Sequence, residues 1–330
     1  MQQFPGCKPR ELKSNINTRN PSAMPAKVIL NPYAGRWSAL KRKAEVEQAL
    51  SSANIDYQLV VTEGPGQGTE LASQAVRDGF NPIISAGGDG SISEVVNGIL
   101  ASGCRSAQES SVTFGVIPLG TANDFCVNLK IPVDLASAAR TIAAGNTRNI
   151  DIGVVTFGEE KRQRYFDNNS AIGLEPSITL IQQDIKRLKG VIRYLVATLI
   201  GVYRNPQWNM AIEWDDGQYS GMANLVTVGN CPLTGGLFYM TPHADPFDGK
   251  LTFVYGSIPT RTQILKILPR TTKSGSGSYV EHPSVNEHHT TWLRIRCETP
   301  TPLHADGEIQ SELVQTLEYT VIPNCLPILM

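Results

Sequence analysis

Little in this chain is concentrated in the way that marks the common specialised classes. Six cysteines are scattered over 330 residues, at Cys7, Cys104, Cys126, Cys231, Cys297 and Cys325, with no C-x-x-C pair. That pattern suggests neither a zinc site nor a disulfide scaffold, and it suits a reducing compartment. The five histidines have no metal-ligand spacing, and His288-His289 lies in a polar stretch where solvation is expected. No apolar run approaches the ~20 residues that cross a bilayer, and the first residues lack the apolar core of a signal peptide. Charge of one sign is absent, since 29 basic against 30 acidic residues leave a net charge of −1. No global field therefore draws the chain to nucleic acid, which is not expected as a partner. A Walker A pattern and a dinucleotide fingerprint are both missing, which argues against the commonest nucleotide folds. No Ser/His/Asp or Cys/His arrangement and no internal repeat can be traced.

What is there is an ordinary folded composition, 41% hydrophobic and 18% charged, over a length that favours two domains. Residues 1–25 are polar and without period, and read as a flexible leader. Strands then alternate with helices: strands at 27–30, 57–62, 82–86 and 114–117, helices at 38–52, 69–78 and 92–100. The first helix places Leu40, Val46 and Leu50 on its apolar side. Such alternation predicts parallel βαβ units with a sheet covered on both faces. Near Asn149 the character changes. Runs at 151–157, 164–168, 208–214, 221–228, 250–255 and 292–297 follow one another across Gly, Asn or Asp turns, which predicts an antiparallel β-sandwich. One long helix interrupts them, with Ile178, Ile181, Ile185, Leu188, Ile192, Leu195 and Leu199 on one face. It reads as packed on the sandwich, with Lys186, Arg187, Lys189 and Arg193 as a solvated basic face; contact with anionic headgroups is the alternative. Residues 271–287, rich in Ser, Gly, Thr and His, read as a mobile loop.

Four clusters can carry chemistry. Gly87-Gly88-Asp89-Gly90-Ser91 follows a buried strand and precedes a helix, where open α/β sheets bind ligands. Glycines admit phosphate oxygens to the backbone, and a helix N-terminus supplies amides and positive potential. Asp89 can hold Mg²⁺ or position a hydroxyl; the plainer reading is a tight turn capped by Ser91. The loop 118–125 follows the next strand, where Thr121 can bond a phosphate and Asp124 a metal-bound water or a substrate hydroxyl, or Asn123 or Asp124 simply caps a helix with no ligand. Asn31 and Thr62 end strands on the same sheet edge, either as ligands or as turn residues. Asp245 and Asp248 flank a glycine turn before Lys250, a set that can share a cation with a carbonyl or form an ordinary β-turn. Asp306 and Glu308 lie in a short turn, where Asp306 can take a proton from an alcohol or merely shape a hairpin.

Together and in this order, these clusters resemble the diacylglycerol kinase catalytic-domain family, in particular its stand-alone bacterial lipid kinases, which are also similar to sphingosine and ceramide kinases. The likeness runs from Asn31-Pro32 and Gly35 through the glycine loop with Glu94 and Asn97-Gly98, the Pro-Leu-Gly-Thr-Ala-Asn-Asp-Phe loop, 168–173, 235–251 and Asp306-Gly307-Glu308. It implies an NAD-kinase/phosphofructokinase-like α/β nucleotide domain (26–149 with about 312–330) and a β-sandwich lipid-substrate domain (150–311), with the active site in the cleft between them. It implies ATP as phosphate donor, Mg²⁺, and a lipid hydroxyl as acceptor, most simply that of diacylglycerol. Asn31, Thr62, Gly87, Gly88, Asp89, Gly90, Ser91, Glu94 and Thr121 would line the ATP site. Asp89 and Asp124 would face phosphates, metal or its waters. Asp306 would be the general base with Glu308 beside the nucleotide, and Asp245, Asp248 and the Lys250 carbonyl would hold a structural Mg²⁺. The chain departs from the family at Glu175, where an aspartate is usual, and at Gly68, where His or Asp is. Glu175 is therefore only a marginal candidate for the acceptor site. An NAD kinase-like enzyme and a non-catalytic lipid or nucleotide sensor are the competing readings. A cytoplasmic protein in transient peripheral contact with the inner face of the membrane follows from a lipid substrate, and exposed strand edges leave a homodimer open.

Overall fold

The computed structural model describes residues 25–103, 112–185, 188 and 190–330. Residues 1–24 of the expected leader and the basic residues Lys186, Arg187 and Lys189 lie outside that set.

The first half is built from β1 (Ala26–Leu30), α1 (Ala34–Trp37), α2 (Lys43–Ser52), β2 (Tyr57–Val61), α3 (Gln67–Arg77), β3 (Ile83–Gly87), α4 (Asp89–Ala101), β4 (Phe114–Pro118), α5 (Asp124–Asn128) and α6 (Leu135–Ala144). The strands are parallel in the order β2-β1-β3-β4. Successive strand residues serve opposite faces: Ile83 and Val116 join the layer with Val95 and Ile99 of α4, Ile84 and Ile117 the layer with Val46, Leu50 and Ile142. Burial on both faces explains the uninterrupted apolar runs. The helix expected at 38–52 becomes regular only at Lys43, after a 3₁₀ turn at Leu40–Arg42. Leu40 is exposed rather than turned inward. The helix expected from Ile92 begins at Asp89, so the glycine motif is itself the first turn.

The second half contains β5 (Thr147–Phe157), β6 (Arg162–Phe166), β7 (Asn169–Gly173), α7 (Leu174–Asp184), α8 (Gly190–Arg204), β8 (Trp208–Trp214), β9 (Gly217–Ala223), β10 (Leu225–Gly229), the ribbon β11 (Leu233–Thr234) and β12 (Phe238–Tyr239), β13 (Leu251–Gly256), α9 (Arg261–Ile267), β14 (Val285–Thr290), β15 (Trp292–Ala305) and β16 (Glu308–Leu329). It is an antiparallel β-sandwich around Phe166, Ile172, Val226, Phe253, Ile295, Leu303 and Tyr319. β15 pairs with β8 through residues 293–297 and with β7 through residues 303–305, so one strand serves both layers. The register shifts in between, around Pro300 and Pro302, where missing amides break the ladder. The far end of β16 reaches β4, with Ile328 opposite Phe114, and joins the halves in one mixed sheet.

Several expectations for this half are corrected. The run 164–168 ends as a strand at Phe166, with Asp167-Asn168 the turn before β7, and the run 221–228 is divided between β9 and β10 by Asn224. The long helix is two helices, α7 and α8, packed on each other. Ile178 and Ile181 are buried while Ile192, Leu195 and Leu199 are exposed, so the regular spacing does not mark one inward face. The stretch 271–287 is ordered by the Arg270–Glu281 ion pair and the buried Tyr279, whose hydroxyl donates to the Met240 carbonyl. His288 is on β14, stacked against Phe253 and Tyr255 rather than in solvent.

Candidate active site

The carboxyl ends of β1, β2, β3 and β4 set the site. Gly87 and Gly120 are required by space. A Cβ on Gly87 would lie 2.3 Å from Ser91 Oγ, and one on Gly120 would lie 2.7 Å from Gly88 Cα. The two candidate loops thus touch backbone to backbone, and the Leu119 amide donates to the Gly87 carbonyl at 2.8 Å. Asn31 donates through Nδ2 to Ser91 Oγ (2.8 Å), and the buried Thr62 sits beside it at the end of β2. Glu94 is committed elsewhere: Oε1 and Oε2 accept the Gly66 and Gly68 amides at 2.8 and 2.9 Å. Glycine at position 68 leaves room for that carboxylate, since a Cβ there would meet Oε2 at 2.5 Å.

Acids crowd the open side of this cradle. Asp89 Oδ1 accepts the Phe125 amide (3.2 Å) and stitches the first turn of α4 to that of α5. Asp124 is buried, and its Oδ1 accepts the Gly236 amide at 2.8 Å. Burial raises the pKa of Asp89; burial and then the charge of Asp89 push Asp124 up to about 6. Asp306 and Gly307 both have positive φ, +48° and +77°, the two-residue hairpin turn joining β15 to β16. The Asp306 carboxylate accepts three amides, from Asp167, Asn168 and Asn169, at 3.0–3.2 Å. Burial nevertheless raises its pKa. Glu308 is ion-paired with Arg164 at 3.0 Å and stands over the first turn of α4, 3.8 Å from where a Gly90 Cβ would be. Asp167, which carries no recognisable motif, is buried beside Asp306, with Oδ2 unpartnered and its pKa raised well above normal by burial and the Asp306 charge. Asp89, Asp124, Asp167, Asp306 and Glu308 thus meet one cation, Arg164, among the described residues. Such an excess of desolvated carboxylate suits a divalent cation with bound phosphate.

The halves are fixed across the cleft. Asn97 exchanges two hydrogen bonds with the Tyr165 backbone (3.0 and 3.1 Å), and Asn128 bridges to Leu233 and Asn168. Beyond Asp306 lies a cavity of about 790 Å³ whose walls include Leu174, Ile178, Leu225, Phe238, Ile258, Ile264 and Tyr279, with Thr121, Glu175, His304 and Gly307 among its lining. Glu175 therefore lines the cavity, bound to His304 Nε2 (3.1 Å), Asn169 and Thr227. Burial alone would raise its pKa, but His304 and these donors bring it below normal. The Gly307 amide faces His304 Nδ1 at 3.4 Å, so this pair links α7 to the Asp306 turn.

Asp245, Asp248 and Lys250 are exposed and apart from this cluster. Asp245 and Asp248 accept their own turn's amides, from Phe247 and Lys250. Their neighbour is the buried Asp151, which accepts the Gly249 and Asn324 amides at 2.7 Å each and whose pKa is raised by burial, then by Asp248 and Asp245. Three unneutralised carboxylates fit a hard cation by charge and ligand type, yet no group of three or more His, Cys, Asp or Glu is arranged to hold one among the described residues.

Residues 25–155 match the diacylglycerol kinase catalytic domain, and residues 169–330 match the YegS C-terminal NAD kinase beta sandwich-like domain. Over residues 25–155 the chain is similar to the diacylglycerol kinase catalytic-domain family. Curated relatives named diacylglycerol kinase include those of Staphylococcus saprophyticus, 27% identical over 87% of this chain and 90% of the relative, and Staphylococcus haemolyticus, 29% identical over 87% and 83%. The fold is that of a putative diacylglycerol kinase from Bacillus anthracis, with a TM-score of 0.72 at 22% identity, covering 93% of this chain and 97% of that one. The matched catalytic domain and the names of these relatives support an ATP-dependent lipid kinase. Its cradle and acid cluster lie where the two matched domains meet.

Proposed function

We propose that this chain transfers the γ-phosphate of ATP to the hydroxyl of diacylglycerol, giving phosphatidic acid and ADP. One observation carries the reading: the lining of the apolar cavity includes Thr121 of the nucleotide-side loop and Gly307 of the Asp306 turn. A greasy tail in that cavity presents its polar end between the two.

The amides of the α4 first turn, the facing glycines Gly88 and Gly120, Asn31, Thr62 and Thr121 cradle the nucleotide, while Glu94 holds the 63–68 loop against it. Asp306 accepts the hydroxyl proton as that oxygen bonds the γ-phosphorus and the bond to the β-phosphate oxygen breaks. A raised pKa makes the carboxylate a better acceptor, and its three amides fix its direction. Arg164 orients Glu308 beside the nucleotide. Mg²⁺, when bound, supplies neutralisation of phosphate charge. Asp89 and Asp124 are the residues that would face it or its waters, and Asp245, Asp248 and the Lys250 carbonyl those that would hold a structural ion near Asp151. In this reading residues 26–149 with about 312–330 form the nucleotide domain and 150–311 the lipid domain, in a protein working at the inner face of the membrane.

The test is transfer of labelled phosphate from Mg·ATP to a panel of lipids in mixed micelles, with NAD included. Labelled phosphatidic acid is expected. Labelled NADP without labelled lipid, or nucleotide binding without transfer to any acceptor, would sink the proposal.

A further inference from the structure

α8 is built with its bulk on the wrong side for a helix in water. Its inward face carries the small residues Ala197, Thr198 and Gly201 and the buried Val202. Gly201 lies so near α7 that a Cβ there would stand 2.9 Å from Ile178. Ile200 also packs inward, but four large residues turn outward: Ile192 is 63% exposed, Leu195 48%, Leu199 55% and Tyr203 71%. At 100° per residue these four form one stripe along more than three turns. Scattered exposed apolar residues are ordinary, but an aligned row on one helix is not.

Two further observations say what covers it. Leu195 belongs both to this stripe and to the lining of the apolar cavity, so the exposed face and the cavity meet at one residue. On α8 and the neighbouring α9 charge has one sign, with Arg193, Arg204, Arg261 and Lys266 and no acid, while α7 packed on the inner side carries Glu175 and Asp184. Arg261 lies over the Tyr203 ring at 4.8 Å, and Arg193 lines the cavity with its Nε buried and unpartnered. An apolar row flanked by cations that make no ion pair among the described residues matches an anionic bilayer, with hydrocarbon for the row and headgroups for the cations.

We infer that the outer face of α8 docks on an anionic lipid bilayer and that lipid passes from it into the cavity beside Leu195. The inference rests on the lipid-kinase reading for its second clause only. Docking places the cavity against the layer in which the substrate resides, so the acceptor need not cross water.

Co-sedimentation with phosphatidylglycerol/phosphatidylcholine vesicles containing no kinase substrate tests docking apart from catalysis. The full chain is expected to sediment with these vesicles and to bind pure phosphatidylcholine vesicles far less. The Ile192→Glu/Leu199→Glu/Tyr203→Glu variant should lose at least tenfold in vesicle binding and in kcat/KM toward vesicle-borne diacylglycerol. Its activity toward a dispersed short-chain diacylglycerol and its Tm should stay unchanged. Unaltered vesicle binding overturns the inference, as does a solution dimer of the native chain that this variant dissociates, which would make the face an interface between copies. Should the triple variant fold poorly, Leu199→Trp decides: its added fluorescence must be quenched by brominated lipid in anionic vesicles, and absence of quenching overturns the inference. Failure of lipid phosphorylation in micelles would sink the kinase reading and leave the docking result standing.

Discussion

Two Asp-Gly turns, at 306–307 and 248–249, look alike in sequence and stand in opposite settings. Asp306 is drawn under the β6–β7 turn, where three amides from another part of the chain grip its carboxylate and burial raises its pKa. Asp248 is exposed and accepts an amide two residues away in its own turn. The first carboxylate is held in a direction by the fold; the second holds its own loop. The difference lies in what the rest of the chain brings to each turn, and it predicts very unequal consequences of removal.

The largest effect belongs to Asp306→Asn. Loss of a positioned proton acceptor should lower kcat by about 10²–10⁴, with ATP affinity measured by calorimetry nearly unchanged. The pH dependence has a definite sign. Asp306 accepts only when ionised, and its raised pKa places the acid limb of kcat/KM above the ordinary carboxylate range. Asp167 is raised further, by burial and then by the Asp306 charge, so it is still neutral when Asp306 ionises, and Asp167→Asn should leave that limb in place. A variant with Asp306 replaced that turns over normally breaks the comparison at its stronger end.

Next comes the contact that places the nucleotide loops. In Gly120→Ala the new methyl lies 2.7 Å from Gly88 Cα, a backbone neighbour that can yield only by moving the cradle. Overpacking of this kind costs about 1–3 kcal/mol, which should appear both as a lower Tm and as a higher KM for ATP.

Asp124 tests whether the acid cluster is strained without its ligands. Its folded pKa of about 6 lies above the ordinary 3.8. Its contribution to stability is therefore present below the unfolded value and lost as pH rises through about 6. The ligand-free chain should gain Tm as pH falls from 7.5 toward 5. Asp124→Asn keeps an acceptor for the Gly236 amide and removes the charge, so it should raise Tm at pH 7.5 and flatten that dependence while lowering activity. A Tm that falls in this variant would show that the cluster is not electrostatically strained.

The first half was largely legible in the sequence because its signals are local. Apolar runs of four or five residues ending in Gly-Gly-Asp-Gly or Pro-Leu-Gly-Thr fix both the strands and the loops after them. The second half was less so because its determinants are tertiary. Nothing local tells that β15 extends for 14 residues and serves two layers. The three-and-four spacing from Ile178 to Leu199 runs unbroken through a point where the chain makes two helices. Burial of Ala197, Thr198 and Val202 and the packing of Gly201 against Ile178 show which side of α8 is inner. Asp167 was unreadable for a related reason, as its place beside Asp306 comes from how the turn after β6 meets the β15–β16 hairpin. Glu175 could be noticed as a departure, but its partner His304 is 129 positions away and no spacing rule connects them.

The smallest effect should come from the exposed turn. Asp248→Ala removes one hydrogen bond within a loop, worth about 0.5–1.5 kcal/mol, and kcat should stay within about threefold of the native value, far inside the range set by general-base loss. What should change is the response to Mg²⁺. If Asp245, Asp248 and the Lys250 carbonyl hold an ion over the buried Asp151, added Mg²⁺ raises the Tm of the native chain without nucleotide, and Asp248→Ala abolishes that rise. An unchanged rise removes the metal from this turn. A loss of kcat comparable with that of Asp306→Asn would instead mean that the exposed turn acts on the cleft through Asp151, and the contrast between the two turns would fail.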